Sequence, residues 1–459
     1  MITDTHTDTD TDTDTDLEFA ALLDRRDVHM VFQPVVDLHS GEIVAVEALA
    51  RGPVATRFES PLALFAAARR SGRVAELDWV CRAAAFRAVL AADVPPAMTV
   101  FVNVEPEAIA AECPTDLTAV VARAESILRV FVEVNDRALA ANPAGVLAAV
   151  DRAREMGWGI AIDDVGASRA PVAMLPIVRP DVVKLDLRLF RLASAEDSAA
   201  ILTSVLRYID TVGATLLVEG IESEDDAQWA RALGAAYGQG LHLAAPGPLY
   251  EHYTAPHTPV RLIRVASADL DITSPFDLFA DRPHQSMGRA HLEELALVLA
   301  YSPRVTGARP IFISCVGRDG RASDLMIEHG LAQESLLFVT FGTGLPGEPA
   351  AGMRGVRLRA ADPLADERFL IVLSAQAPMA IFARRSLTGN YDVVVTQERE
   401  LVHDVARHLI RRVPGPGRNN TVLPVPARQE AVDARVEADA TVPVNLTKRG
   451  WRGRLGGHQ

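Results

Sequence analysis

Residues 31–51 read VFQPVVDLHSGEIVAVEALAR, and this stretch decides the fold. It holds most of one β-branched run, Val28 to Val36, and all of a second, Ile43 to Val46, with Glu47 directly after the second. Six more such runs follow, at Thr99 to Val102, Val130 to Val132, Ile160 to Ile162, Val182 to Leu185, Thr215 to Val218 and Tyr237 to Leu243. The segments between them, such as Pro61 to Ala92 and Glu196 to Thr211, have the length and Ala/Leu/Arg content of helices. Eight strand-like runs alternating with helices predict an α/β fold, a TIM-type (β/α)8 barrel, over residues 28–246.

The chain has 459 residues, more than one ordinary domain of about 150. The reading is a Thr-Asp tail over residues 1–20, the barrel over 21–250, a linker over 251–264, a smaller mixed α/β domain over 265–413 and a flexible tail over 414–459. The N-terminal tail alternates Thr with aspartates 4, 8, 10, 12, 14 and 16 and offers nothing to bury, so disorder is expected. The C-terminal tail is rich in Pro, Gly and polar residues and ends on a basic tip with Lys448, Arg449, Arg452 and Arg454.

With 46 Lys+Arg against 60 Asp+Glu the net charge is −14, which disfavours DNA, RNA and anionic membranes as bulk partners. No apolar stretch reaches the roughly 18 residues of a membrane span, and the N-terminus lacks the basic start and apolar run of a secretory signal. A cytoplasmic protein is expected. Cys81, Cys113 and Cys315 match neither a disulfide framework nor a Cys-x-x-Cys metal site and read as reduced thiols.

The chemistry lies at the strand ends. Glu47 follows the second run, Asn103 follows TVFV, Glu133 follows VFV, Asp163 and Asp164 follow IAI, Glu219 follows LLV, and VVKLD carries Lys184 and Asp186. In a barrel the C-terminal strand ends meet at one mouth. So many carboxylates in one place repel unless cations offset them. Oxygen ligands favour Mg²⁺ or Mn²⁺, and the number of acids allows two ions sharing a bridging aspartate, an arrangement suited to displacement at phosphorus.

These residues resemble a known family. Glu47-Ala48-Leu49 followed by Arg51, FVNV at Asn103, FVEV at Glu133, AIDD at Asp163 and Asp164, VVKLD at Lys184, VEGIE at Glu219 to Glu222 and YGQG at Gln239 resemble, in order, the EAL domains that hydrolyse cyclic di-GMP. The Gly-Gly-(Asp/Glu)-Glu-Phe signature of diguanylate cyclases is absent from the sequence. The resemblance implies hydrolysis of cyclic di-GMP to linear pGpG. It implies Glu47, Asn103, Glu133 and Asp163 around one ion, Asp163 bridging, and Asp164 beside a second. Glu219 would lie near that ion or its water. Lys184, its pKa lowered, would orient or deprotonate the attacking water. Asp186 and Glu222 would support this machinery, and Gln33, Arg51 and Gln239 would contact substrate. It also implies a homodimer through the barrel.

The chain departs from the family after Asp164. Where active members continue Phe-Gly-Thr-Gly-Tyr-Ser-Ser, it has Val165-Gly166-Ala167-Ser168-Arg169-Ala170-Pro171; Asp136 stands for an anchoring glutamate, and Leu241 and Ala245 replace aromatic and basic residues. These changes favour, as a second reading, a weak or inactive barrel that binds cyclic di-GMP or a partner protein.

The second domain is expected to hold a helix from His284 to Tyr301, strands at Ile311 to Ser314, Leu336 to Phe341, Phe369 to Leu373, Met379 to Phe382 and Asp392 to Val395, and a helix Glu398 to Arg412. With SPFDLF near its start and YDVVVTQERELVHDVARHLIRRV at its end, it resembles DICT domains, sensory modules, and implies a ligand of unknown identity. Gly342-Thr343-Gly344-Leu345-Pro346-Gly347 fits Gly-x-Gly-x-x-Gly, but Pro346 argues for a turn rather than a dinucleotide-binding helix start.

Overall fold

The computed structural model describes residues 7–109, 111–166, 169–263, 270, 272–302, 309–318, 330–374 and 377–415, apart from the side chains of 7–14. Ala167 and Ser168 of the altered loop, and nearly all of the expected C-terminal tail, lie outside the described residues.

Strands β1 (His29–Asp37), β2 (Ile43–Arg51), β3 (Thr99–Asn103), β4 (Arg129–Val134), β5 (Gly159–Val165), β6 (Val182–Asp186), β7 (Thr215–Glu219) and β8 (Tyr237–Gly238) close a barrel in that order. All eight expected strands form, although the run expected from Tyr237 to Leu243 is strand only at Tyr237–Gly238 and turns at 241–243. β2 to β8 run parallel, but β1 is antiparallel to both its neighbours, β2 and β8. The reason is the connection: residues 38–42 are all that separates β1 from β2, enough for a hairpin and too few for a crossover helix. The expected helix Pro61 to Ala92 is two helices, Pro61–Arg70 and Val74–Ala91, and Ala195–Val212 fills the place expected of Glu196 to Thr211.

Strand alternation fills the barrel in two levels. Val35, Ala45, Phe101, Phe131, Ala161, Val182, Leu217 and Tyr237 form an apolar interior cluster. Two residues away on the same strands, and so on the same face, stand Gln33, Glu47, Asn103, Glu133, Asp163, Lys184, Glu219 and Gln239. Each strand thus supplies one apolar plug and one polar group. Val260 is fully buried in the same apolar cluster; its carbonyl accepts from Arg129 Nη2, and the amide of Ile263 donates to Asp181 Oδ1 at 2.8 Å. Residues expected to be a linker are therefore partly barrel core.

The N-terminal segment departs from the expected disorder. Thr7–Asp24 is a helix whose Phe19, Leu22 and Leu23, spaced for one helical face, are buried against Phe58, Leu64 and Leu77. Packing at its far end holds a segment whose Thr-Asp half has little helical preference of its own.

The second domain is a seven-stranded sheet of β9 (Gln285–Met287), β10 (Ile311–Gly317), β11 (Leu337–Gly342), β12 (Met353–Arg357), β13 (Glu367–Leu373), β14 (Met379–Arg385) and β15 (Tyr391–Thr396), in the order β12-β11-β10-β13-β14-β15-β9. β9 and β12 were not expected; β9 occupies the start of the helix expected from His284, which instead spans Arg289–Tyr301. That helix covers one face through Leu292, Leu299 and Ala300. The other face, with Ile313, Val339 and Ile371, joins a core shared with helix Arg399–Ile410 and with barrel helices Pro143–Glu155 and Ala170–Val178. Cover on both faces explains why β10, β11 and β13 are buried at every position. Arg411 pairs with Asp151 at 2.8 Å, Arg179 pairs with Asp404, and Arg407 donates to the carbonyl of Ile177 across this junction. After Gly342 the chain turns toward β12 without starting a helix, as the turn reading requires.

Glu367, at the start of β13, is buried and accepts from Arg384 Nη2 at 3.0 Å and from the Ser274 hydroxyl, while its Oε2 has no donor. Burial raises its carboxyl from 4.5 to about 7 against the pull of Arg384, with Asp277 adding to the rise. The folded state therefore holds this proton more tightly than the unfolded one: its stabilisation is complete below about 4.5 and is lost as pH rises through about 7. In urea unfolding, the midpoint of the parent should fall between about pH 5 and pH 8 by more than that of Glu367→Gln. Parallel profiles would sink this assignment.

Candidate active site

The polar level of the barrel is organised around one ammonium. Lys184, on β6, is 1% exposed. Its Nζ lies 2.5 Å from Glu133 Oε1, 2.7 Å from Glu219 Oε1, and 3.3 Å from both Glu47 Oε2 and Asp163 Oδ1. Four strands deliver four carboxylates to one cation. Gln239 Nε2 donates to Glu47 Oε2 at 2.8 Å and to Gln33 Oε1 at 3.2 Å, and Asn103 Nδ2 donates to Glu47 Oε1 at 3.4 Å. Antiparallel β1 brings Gln33 to this level, since it pairs in register with Glu47. Gly240 fixes Gln239 from behind, because a Cβ there would collide with the backbone of Ile221.

Burial opposes the charge on Lys184, but Asp163, Glu133, Glu219 and Glu47 outweigh it and hold the ammonium well above the ordinary lysine range. The lowered pKa expected from the sequence is for a lysine amid metal ions, whereas this raised one belongs to the acids alone. Surrounded by acids, Lys184 is a fixed cation that donates hydrogen bonds; in this state it has no lone pair with which to deprotonate water. Burial, and then repulsion from Glu47, pushes the Glu133 carboxyl well above the usual carboxylate range, and burial raises Glu219 despite Lys184. One ammonium does not neutralise four buried acids.

Asp164 sits at a bulge of β5, where pairing with β6 slips between Ile162 and Val165, and its φ of 58° is left-handed. The bulge breaks strand alternation, so two adjacent aspartates reach the mouth. Burial, and then Asp163, raises Asp164 to about 8, while Arg137 opposes the rise.

Three predicted residues lie apart from the cluster. Asp186 caps helix Leu187–Leu192, accepting from the amides of Arg188 at 2.7 Å and Leu189 at 3.2 Å, and pairs with Arg188 Nη2 at 3.0 Å. Glu222 is exposed, and its amide donates to Asp226. Arg51 is half-buried at the end of β2 and donates from Nη1 to the carbonyl of Ala50 at 2.8 Å. The sequence reading missed Arg188, which lies within the electrostatic reach of Glu219 and Glu222. Its position directly after VVKLD is the one signal that could have found it. Beyond the altered loop, Arg169 is buried and pairs with Asp197 at 2.8 Å, and Pro171 falls in the first turn of helix Ala170–Val178, where proline fits. Asp136 opens helix Asp136–Ala141.

Among the described residues no three His, Cys, Asp or Glu side chains form a ready coordination shell, because the acids face the ammonium. The donor set nevertheless suits a hard divalent cation. Oε2 of Glu133 is buried with no hydrogen-bond donor, and Glu133 Oε1 and Asp163 Oδ1 share the one ammonium of Lys184 with Glu47 and Glu219, leaving excess negative charge and oxygen lone pairs. The cysteines are free thiols. Among the described residues no helix is long and apolar enough to cross a membrane.

The family model described as "EAL domain" matches residues 17–246. The chain is 29% identical over 233 residues to the Cyclic di-GMP phosphodiesterase PA2567 of Pseudomonas aeruginosa, covering 48% of this chain and 38% of the relative. It is 26% identical over 236 residues to the Probable cyclic di-GMP phosphodiesterase PdeB of Escherichia coli, covering 48% and 42%. The chain therefore spans well under half the length of either relative. Among solved structures it is similar to Klebsiella pneumoniae BlrP1 in a manganese/cyclic di-GMP complex, at 25% identity and a TM-score of 0.42, covering 48% of this chain and 56% of that one. The match runs over half of the chain and takes in the barrel strands and the acids around Lys184, so this chain belongs to the EAL domain family.

Proposed function

We propose that the barrel hydrolyses one phosphodiester of cyclic di-GMP to give linear pGpG. The observation that carries this reading is the set of four carboxylates around a single fixed ammonium, with Glu133 Oε2 buried and without a donor. Glu47, Asn103, Glu133 and Asp163 would hold one Mg²⁺ or Mn²⁺, with Asp163 bridging to a second near Asp164 and Glu219. Such ions lower the pKa of a bound water and offset charge on the phosphoryl oxygens. Lys184 orients the attacking water and stabilises negative charge as the P–O bond breaks. Gln33 and Gln239 line the floor beside Glu47, and Arg51 at the rim suits a phosphate. Asp186 and Glu222 act from further out, Asp186 by fixing the turn after β6 and Arg188 with it. The second domain, read as a DICT-like sensor, would tune the barrel through helix Arg399–Ile410, which packs on the helix following Asp164. A cytoplasmic protein forming a homodimer through the barrel completes the proposal.

The test is direct. Purified protein should convert cyclic di-GMP to pGpG with Mg²⁺ or Mn²⁺, and chelation should abolish product. No product at enzyme levels where an active control works would refute it. The tying of Arg169 to Asp197 beside the altered loop favours the second reading, a binding module. That reading requires nucleotide binding that survives Lys184→Ala, with no metal-dependent product.

A further inference from the structure

The Gly342–Gly347 turn, which starts no dinucleotide-binding helix, forms one wall of a groove of about 560 Å³ in the second domain. That volume falls within the range of small-molecule sites, about 300–1,000 Å³. The groove is also lined by Arg357, Arg359, Asp362 and Arg412. Three guanidinium groups face one carboxylate, a local excess of positive charge on a chain whose net charge is −14.

The walls are held in place. The amide of Gly355 donates to the carbonyl of Gly347 at 2.8 Å, and that of Leu358 donates to Gly342 at 2.9 Å. These bonds bring the turn so close to β12 that a Cβ on Gly355 would collide with the carbonyl of Pro346. Arg357 Nε donates to the carbonyl of Leu345 at 3.1 Å, which aims the guanidinium along the turn and leaves its two terminal nitrogens without a partner among the described residues. The Arg359 side chain makes no hydrogen bond or ion pair among the described residues; two positions on from Arg357, it stands on the same side of an extended segment. Arg412 is set by its pair with Asp362 and lies 5.8 Å from the Phe341 ring centroid. Oriented arginines with spare donors are the usual means of gripping phosphate or carboxylate oxygens.

We propose that this groove binds a small polyanion, a molecule carrying at least two phosphate or carboxylate groups, between Arg357, Arg359 and Arg412. This goes beyond the barrel reading and stands whether or not the barrel turns over substrate. Arg412 follows helix Arg399–Ile410 within two residues, so an occupied groove touches the same element that packs on the barrel.

The experiment is calorimetric titration of the full chain, metal-free and at fixed ionic strength, with pyrophosphate in one arm and citrate in the other. Saturable binding of one or both is expected, and the arm that binds more tightly tells phosphate from carboxylate recognition. The double variant Arg357→Ala/Arg359→Ala should weaken binding by about ten-fold or more, whereas Arg25→Ala, an exposed arginine on the N-terminal segment that does not line the groove, should leave it unchanged. Arg357 and Arg359 are exposed, so the double variant should keep its fold, checked by circular dichroism, with Arg359→Glu as a second probe expected to weaken binding further. The proposal is overturned if neither anion saturates the parent, or if binding survives the double substitution.

Discussion

Lys184→Met should cost both turnover and stability, and the stability loss should depend on metal. Removing the ammonium leaves Glu47, Glu133, Asp163 and Glu219 facing one another in a buried site. Breaking a buried pair from one side typically costs about 3–5 kcal/mol. Here the loss should grow with pH, because more acids must then take up protons or repel. Divalent cations should restore part of it by occupying the vacated charge centre. Thermal unfolding with and without chelator measures this, and turnover should fall by about 10³-fold or more with the lost charge stabilisation. A variant as stable as the parent in chelator, with parental turnover, would contradict a structural and electrostatic role for Lys184.

Glu133→Gln should do the opposite to the metal-free protein. Its carboxyl is buried, and although Lys184 Nζ lies 2.5 Å from it, that ammonium is shared with three other acids and burial and Glu47 outweigh it, so a neutral amide of the same shape relieves repulsion. Metal-free stability should stay level or rise. The stabilisation by Mg²⁺ or Mn²⁺ should shrink, and turnover should drop by about 10³-fold, roughly 4 kcal/mol of barrier. Differential scanning fluorimetry across a cation titration reads the first two effects, and product formation reads the third. Unchanged cation stabilisation would remove Glu133 from the metal shell. The two variants move metal-free stability in opposite directions, which a general loss of packing would not do.

Much of this was legible in the chain itself. The barrel could be read because each strand writes an apolar residue and a polar one two positions later, as in Phe131/Glu133 and Val182/Lys184, and pleating keeps such pairs on one face. Strand direction leaves no mark on that period, so the reversal of β1 escaped notice; the short 38–42 connection was its one trace. Asp186 shows why role is harder than place. An acid after a strand serves equally as helix cap or as catalytic support, and only the amides of Arg188 and Leu189 reveal the cap. The Lys184 pKa could not be read from the chain, because its direction depends on how many acids and cations surround it, a property of the assembled barrel. The N-terminal helix escaped because Phe19, Leu22 and Leu23 act only once Phe58 and Leu64 are in place to receive them.

Val260, seated in the apolar interior of the barrel, changes where the molecule can be divided. A cut at residue 250, the boundary composition suggests, would remove a core side chain along with the segment that seals the barrel from below. It would also leave Asp181 without the amide of Ile263, so an isolated barrel ending there would be weakened for reasons unrelated to signalling. A truncation meant to compare the barrel with and without its neighbour should retain residues through Ile263, so that any change in behaviour reports on the second domain and not on an unplugged base.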